Sequence, residues 1–266
     1  MELPQYDVPH TARVYDYYLG GKSHYASDRA AGDAVLRVWP GARAAARVNR
    51  QFMHRAVRYL GERGIRQFLD IGTGIPTEPN LHQVAQSVAP DSRVVYVDKD
   101  RLVLTYSDAL IRSAPEGRTR YVEADVARDH ERIIREAFEV LDPAEPVALS
   151  LVALLHFVPD EQGAREVVRA LLDALPAGSA LVLSHGTHDF DAEVMLRVEA
   201  IYRQGGMAAQ SRSRAEVLAF FDGLELAEPG VVPPHRWRPD ADTTRGAADG
   251  DLAPLVSMWA AVGHKP

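Results

Sequence analysis

Residues Leu69–Thr77 read LDIGTGIPT. An apolar run ends in two glycines, Gly72 and Gly74, with Thr73 between them. Glycines at that spacing permit a tight turn and let backbone approach a ligand closely. Asp70 stands just ahead of the turn. Asp98, followed by Lys99, closes the next apolar run, SRVVYVDKD; Asp125, followed by Val126, closes a third, TRYVEADV. In open α/β sheets, ligands lie beyond the carboxyl ends of the strands. A carboxylate in the place of Asp98 can accept both ribose hydroxyls. One in the place of Asp125 can accept from an adenine amino group, with the Val126 amide donating to a ring nitrogen. Each acid alone says little, but three at three successive strand ends suit an adenosyl ligand.

The turn also discriminates among adenosyl ligands. A pyrophosphate favours a third glycine and an unopposed helix N-terminus. Here that third position is Thr77, preceded by Pro76, and the Asp70 charge would repel phosphates. The same charge suits the ammonium and sulfonium of S-adenosylmethionine. No Gly-Lys-Ser/Thr follows, so a Walker-type loop is excluded. S-adenosylmethionine is therefore favoured as cofactor over NAD. The competing functions are a nicotinamide-dependent oxidoreductase and a regulatory protein that binds the cofactor without turnover.

Three histidines follow later strands. His156, after PVALSLVALL, has the residue type of a general base, with an unperturbed pKa of about 6.5; it serves equally as a residue packed beneath the cofactor or capping the next helix. His185 and His188 stand with Asp189 in SHGTHD. His-x-x-His plus a carboxylate is a possible metal set, but the spacing arises easily by chance. No metal is expected, and both histidines are assigned to the substrate side. Asn49 and Arg50 are polar exceptions near the start of NRQFMHRAVRYL. Asn49 is assigned to the cofactor. Arg50 is placed to bind a carboxylate of cofactor or substrate, or else sits on a solvated face. Arg212 and Arg214 are substrate contacts or surface charge.

These residues need a frame. From Gln67 the chain alternates short apolar runs with amphipathic stretches: Pro79–Ala89, Arg101–Ser113, His130–Leu141 and Glu161–Leu175. Continuous apolar strands separated by helices imply a mostly parallel α/β sheet with helices on both faces. GLELAEPGVV and LVSMWAAVGHKP read as two closing antiparallel strands. Ser213–Glu216 is a capping box expected to start a helix through Phe221. Gly41–Glu62 is a helical pattern whose apolar face carries Phe52, Ala56, Val57 and Leu60. Pro239–Gly250 reads as a mobile loop.

Composition narrows the rest. The chain has 266 residues, 46% of them hydrophobic, a net charge of −7 and no cysteine. It can bury a sizeable core, and disulfides, thiolate nucleophiles and Cys-ligated zinc are excluded. A reducing cytoplasm is the expected compartment. The N-terminus lacks the pattern of a signal peptide, and no apolar run approaches a membrane span. The acidic balance, and LLHF where amino methyltransferases of nucleic acids often carry an Asn/Asp-Pro-Pro-aromatic run, argue for a small-molecule acceptor, with neither nucleic acid nor membrane as partner.

Ahead of the frame lies VYDYYLGGKSHYASDRAAGD. Tyrosines give rigid aromatic surface with polar tips, and Gly20 and Gly21 permit a turn near a ligand. Residues 1–64 are expected to form a helical lid on a binding unit spanning 65–266. Arg13, Tyr18 and Gly21 are assigned to the cofactor and Tyr15 to the substrate. The alternative is an arm packed for stability alone.

FLDIGTG, VVYVDKD and EADV resemble class I S-adenosylmethionine-dependent methyltransferases. ARVYDYYLGGKSHYASDR, NRQFMHRAVRYLGERGIRQFLDIGTGIPT, LLHFVPD, LSHGT and EPGVV…WRP resemble, more narrowly, a bacterial S-adenosyl methyltransferase family long catalogued as a domain of unknown function. The resemblance runs from Pro9 to Pro266. It implies a Rossmann-like seven-stranded sheet with an antiparallel last strand, and backbone around Ala153–Leu154 facing the methionine ammonium. The family's usual GGKDNF reads here GGKSHY, with Ser23 and His24 in place of Asp and Asn.

Overall fold

A computed structural model of the chain describes residues 7–103, 105, 113–240 and 252–266. Seven strands form one sheet: β1 (Gln67–Ile71), β2 (Arg93–Asp98), β3 (Arg118–Glu123), β4 (Val147–Val152), β5 (Ala180–Gly186), β6 (Glu225–Leu226) and β7 (Met258–His264). Their order is β3-β2-β1-β4-β5-β7-β6. β1 to β5 are mutually parallel, while β7 runs antiparallel to both β5 and β6. The order reverses between β1 and β4, which places a crevice beyond the carboxyl ends of these strands.

The apolar runs have a direct cause. Successive side chains on a strand point to opposite faces, and both faces here are covered. Leu69, Val95 and Leu149 join one core with Ile133 and Leu171. Phe68, Val94 and Ala148 join the other with Phe52 and Leu60. The second core is capped by α3 (Ala42–Glu62), whose buried face includes Phe52, Ala56, Val57 and Leu60, as its periodicity requires. Other crossovers carry α4 (Leu81–Val88), α5 (Val126–Ala137) and α6 (Ala164–Asp173).

Two features depart from the expected pattern. Only Glu225 and Leu226 of GLELAEPGVV pair with β7, and Val232 adds an isolated bridge to Ala260. Pro229 has no N–H and cannot continue a ladder. The capping box at Ser213 does start a helix, α8 (Arg214–Leu218), but the chain tightens into a 3-10 turn over Ala219–Phe221. Most of the expected helix Arg101–Ser113 and of the loop Pro239–Gly250 lies outside the described residues.

The N-terminal segment forms α1 (Thr11–Leu19) and α2 (Ala26–Val38), which pack with α7 (Ala192–Gln204) in a separate cluster. Val14, Tyr18, Val35, Ala46, Val198 and Tyr202 are buried there. α1 ends at Gly20, whose φ of 82° is the left-handed conformation that closes helices. A Cβ at Gly21 would lie 1.9 Å from Asp16 Oδ1. Asp16 Oδ2 instead accepts from the Ser23 amide at 2.9 Å and contacts His24 Nδ1 at 2.8 Å. GGKSH is thus wrapped around one carboxylate. No helix among the described residues is long and apolar enough to cross a membrane.

Candidate functional site

Two cavities meet at the carboxyl ends of the strands. The first occupies the crevice beyond β1, β2 and β4, with about 1170 Å³ of open volume including its mouth. Its floor is the glycine turn. Gly72 has φ 76° and Gly74 has φ 67°, a region that side chains disfavour. A Cβ on Gly72 would come within 2.6 Å of Leu154 Cδ1, whereas the space over Gly74 is free out to Ala12 Cβ at 4.0 Å. Thr73 ties the turn down, donating from Oγ1 to the Asp70 carbonyl at 3.0 Å.

The three acids converge on this cavity. Asp98 is buried, and its oxygens accept from the Gly74 amide at 2.8 Å and the Asp100 amide at 2.9 Å. Each carboxylate oxygen has a second lone pair, so capacity remains for a ligand. Burial pushes the Asp98 carboxyl above its ordinary range, against the pull of those amides. Burial likewise pushes Asp70 up to about 6, although Arg50 nearby favours the anion. Asp125 caps α5, accepting from the Ala127 amide at 3.1 Å, with Lys99 Nζ 4.0 Å away. Lys99 and Val126 line the same cavity.

α1 and α3 supply the other wall. Asn49 Nδ2 donates to the Tyr15 hydroxyl at 3.0 Å, and Tyr15 donates onward to the Ala46 carbonyl at 3.0 Å. Among the described residues, the buried Asn49 Oδ1 has no hydrogen-bond partner. Arg50 uses Nη2 on the Thr77 and Pro79 carbonyls, leaving Nε and Nη1 unspent among the described residues. Acceptors at Asp70 and Asn49 beside a donor at Arg50 match the ammonium and carboxylate of an amino acid group. The donor set and glycine bed therefore fit S-adenosylmethionine.

The second cavity, about 690 Å³ with its mouth, lies beyond β4, β5 and β7 beneath α1, α3 and α7. Thr11, Tyr15, Ala153 and Phe157 line both cavities. Ala153 sits at the divide with φ 55°, rare for a residue with a Cβ. Its amide is held by the Ser184 carbonyl at 3.2 Å and hydroxyl at 2.9 Å.

His156 faces the second cavity from a 3-10 turn over Leu155–Phe157. Its Nδ1 accepts from the Gly186 amide at 3.5 Å. Burial and the Arg212 charge lower its pKa to about 3. His185 lines neither cavity. It is fully buried, Nδ1 donating to the Gly186 carbonyl and Nε2 accepting from Arg212 Nη1, each at 2.7 Å. His188 is also outside both, with Nδ1 3.2 Å from Ser211 Oγ. Among the described residues, no group of three or more His, Asp or Glu is arranged to hold a metal ion.

Of the residues expected in a lid, Tyr15 lines both cavities and Tyr18 only the second. Gly21 packs on Asp16. Arg13 is buried, with Nε 3.5 Å from Asp28 and 3.7 Å from Asp100, bracing α1 against α2 and the turn after β2. Sequence reasoning overlooked His10 and Thr11, which begin α1 at the cavity edge, and Tyr96 within β2. Their only local signal is position, a helix start or an alternate strand residue. Arg212 is neither surface charge nor a lining residue. It is 1% exposed and binds the Leu155 and Val158 carbonyls and Asp160 Oδ1 at 2.7–3.0 Å. It pins the turn that carries His156.

The profile of a family described as S-adenosyl methyltransferase matches residues 4–266. A duf574 family protein from Streptomyces avermitilis, solved as a crystal structure, is 52% identical, with a TM-score of 0.92 over 97% of this chain and 98% of that one. A candidate methyltransferase from Thermobifida fusca is 37% identical, with a TM-score of 0.88 over 98% of this chain and 96% of that one. The plantazolicin methyltransferase BpumL shares the fold at 9% identity, with a TM-score of 0.54 over 96% of this chain and 95% of that one. No curated protein matches the chain.

Proposed function

For a chain that belongs to the S-adenosyl methyltransferase family, we propose that the first cavity seats S-adenosylmethionine and that a small molecule reaches the methyl past Ala153. The protein is an S-adenosylmethionine-dependent methyltransferase; the residue roles and the acceptor class are our assignments. The observation that carries them is the convergence of Asp70, Gly72, Gly74, Asp98 and Asp125 on one crevice at the sheet's switch point.

Asp98 receives the ribose hydroxyls, with Lys99 beside it. Asp125 and the Val126 amide receive the adenine edge. Asp70, Asn49 and the backbone at Ala153 take the ammonium, and Arg50 the carboxylate. The cap assigned to residues 1–64, of which 1–6 lie outside the described residues, acts as a lid over the unit 65–266, with Tyr15 at the contact between cofactor and acceptor. Arg13 and Gly21 act at one remove, by holding α1 in shape.

Bound, the cofactor supplies a methyl group activated by a sulfonium. Held by Asp70, Asn49, Asp98 and Asp125, it would offer that methyl carbon to the acceptor's lone pair, with the sulfur as leaving group. What this chain contributes is alignment and exclusion of bulk water, which together supply several kcal/mol of the barrier. A histidine held near pKa 3 takes a proton poorly at neutral pH. With Nδ1 accepting from Gly186, His156 carries its proton on Nε2 and orients the acceptor by donating a hydrogen bond.

Calorimetric titration of the full chain with S-adenosylmethionine, S-adenosylhomocysteine and NAD tests the cofactor assignment. Both sulfur compounds are expected to bind and NAD to give no heat. Binding of NAD alone would overturn it.

A further inference from the structure

The second cavity is as informative in what it lacks as in what it holds. Among the described residues, no lysine or arginine lines it. Glu199, the one acid among its described lining residues, has its charge already paired: Oε2 meets Arg203, and Oε1 accepts from the Ser211 amide at 2.7 Å and the Ser211 hydroxyl at 2.5 Å. An ion entering here would lose its hydration and meet no free counter-charge, which is costly. The walls are apolar. Ala42, Ala45 and Ala46 of α3 leave room where larger side chains would fill it, and Trp39, Met195 and Val198 close it.

The remaining polar groups include neutral donors. The Tyr18 and Tyr202 hydroxyls lie 3.2 Å apart. Each has a single proton, so when one donates to the other an O–H is left over. Burial raises the pKa of both, that of Tyr202 to about 12, so the leftover group keeps its proton. His156 Nε2–H is a second neutral donor. Rings and thioethers favour flat, polarisable ligands, and leftover donors favour ligand oxygen or nitrogen.

Given the cofactor in the first cavity, we propose that the second cavity is the acceptor pocket and takes an uncharged ring compound bearing the hydroxyl or amino group that is methylated. That group sits where Thr11, Tyr15, Ala153 and Phe157 line both cavities. The ring body fills the space between α3 and α7.

Fluorescence titration of the full chain, with and without S-adenosylhomocysteine, tests this with three probes of one shape: 1-naphthol, 1-naphthoate and the 1-naphthylmethylammonium ion. The neutral probe is expected to bind about tenfold more tightly than either ion. Ala42→Phe on one wall and Val198→Phe on the other are each expected to weaken 1-naphthol about tenfold and leave S-adenosylhomocysteine affinity within about twofold. Equal or tighter binding of an ion would overturn the proposal. So would wild-type affinity for 1-naphthol in a folded wall variant. Should one variant fail to fold, the other and the charge series decide. Loss of S-adenosylhomocysteine binding by the unmodified chain would instead overturn the cofactor assignment.

Discussion

The first cavity is bedded on glycines and rimmed by carboxylates, whereas the second is walled by alanines, methionines and aromatic rings. They share Ala153 and the face of α1, yet they are assembled differently. The first draws Asp70, Asp98 and Asp125 from the ends of consecutive strands and adds Asn49 and Arg50 from α3. The second gathers side chains from α1, α3, α7 and β7, which lie far apart in the chain. We assign the first to a charged adenosyl ligand and the second to an uncharged one.

The largest blow to this contrast is Arg212→Ala. Removing a guanidinium that satisfies two buried carbonyls and meets the half-exposed Asp160 is expected to destabilise the protein by roughly 2–5 kcal/mol. In the fraction that stays folded, the second cavity should suffer more than the first. Denaturant unfolding gives the stability, and titrations with S-adenosylhomocysteine and 1-naphthol give the split. An unfolding midpoint unchanged from the wild type would contradict the role assigned to Arg212.

Asp98→Ala strikes the first cavity alone. Loss of the ribose hydrogen bonds is expected to weaken S-adenosylhomocysteine by about 1–3 kcal/mol and to leave 1-naphthol affinity unchanged. Calorimetry reads both, and unaltered cofactor affinity would remove Asp98 from the ribose.

A gentler probe is pH. Burial holds the Asp70 carboxyl at about 6. A cationic ligand beside it favours the anion, so binding releases a proton. Affinity for S-adenosylmethionine should therefore rise as pH climbs through 6 and level off above 7. Below 6 the slope should be at most about tenfold per pH unit, the limit for a single proton. Asp70→Asn should flatten the profile. The same slope in that variant would show that another group titrates.

The smallest effect expected is that of His156→Gln, which keeps a hydrogen-bond donor. With an acceptor that is turned over, kcat should fall by less than about tenfold and its pH profile should show no break assignable to this residue. A loss of about a thousandfold would restore the histidine as a proton acceptor.

The same contrast explains what could be read in advance. β1, β2, β4 and β5 announce themselves because buried parallel strands are continuous apolar runs, whereas β3 lies at the sheet edge with a single buried residue and is patterned more weakly. Asp70, Asp98 and Asp125 are legible as acids at strand ends. The helix Ala42–Glu62 follows from its 3.6-residue spacing. The roles of Tyr18, Arg212 and His185 were not legible. Tyr18 meets Tyr202, 184 positions away, and Arg212 meets Asp160 across 52. Residues that far apart leave no local trace of their meeting. Asp16 shows the same limit at short range, because GGKSH reads as a flexible turn until its carboxylate is seen to organise it.

The most direct test of the central claim is a crystal structure of the full chain with S-adenosylhomocysteine. The expected result is a ribose on Asp98, an adenine edge at Asp125 and Val126, an amino acid group between Asp70 and Arg50, and the sulfur directed past Ala153 toward the second cavity. A ligand seated anywhere other than over Gly72–Gly74, or with its sulfur turned away from Ala153, would contradict the account.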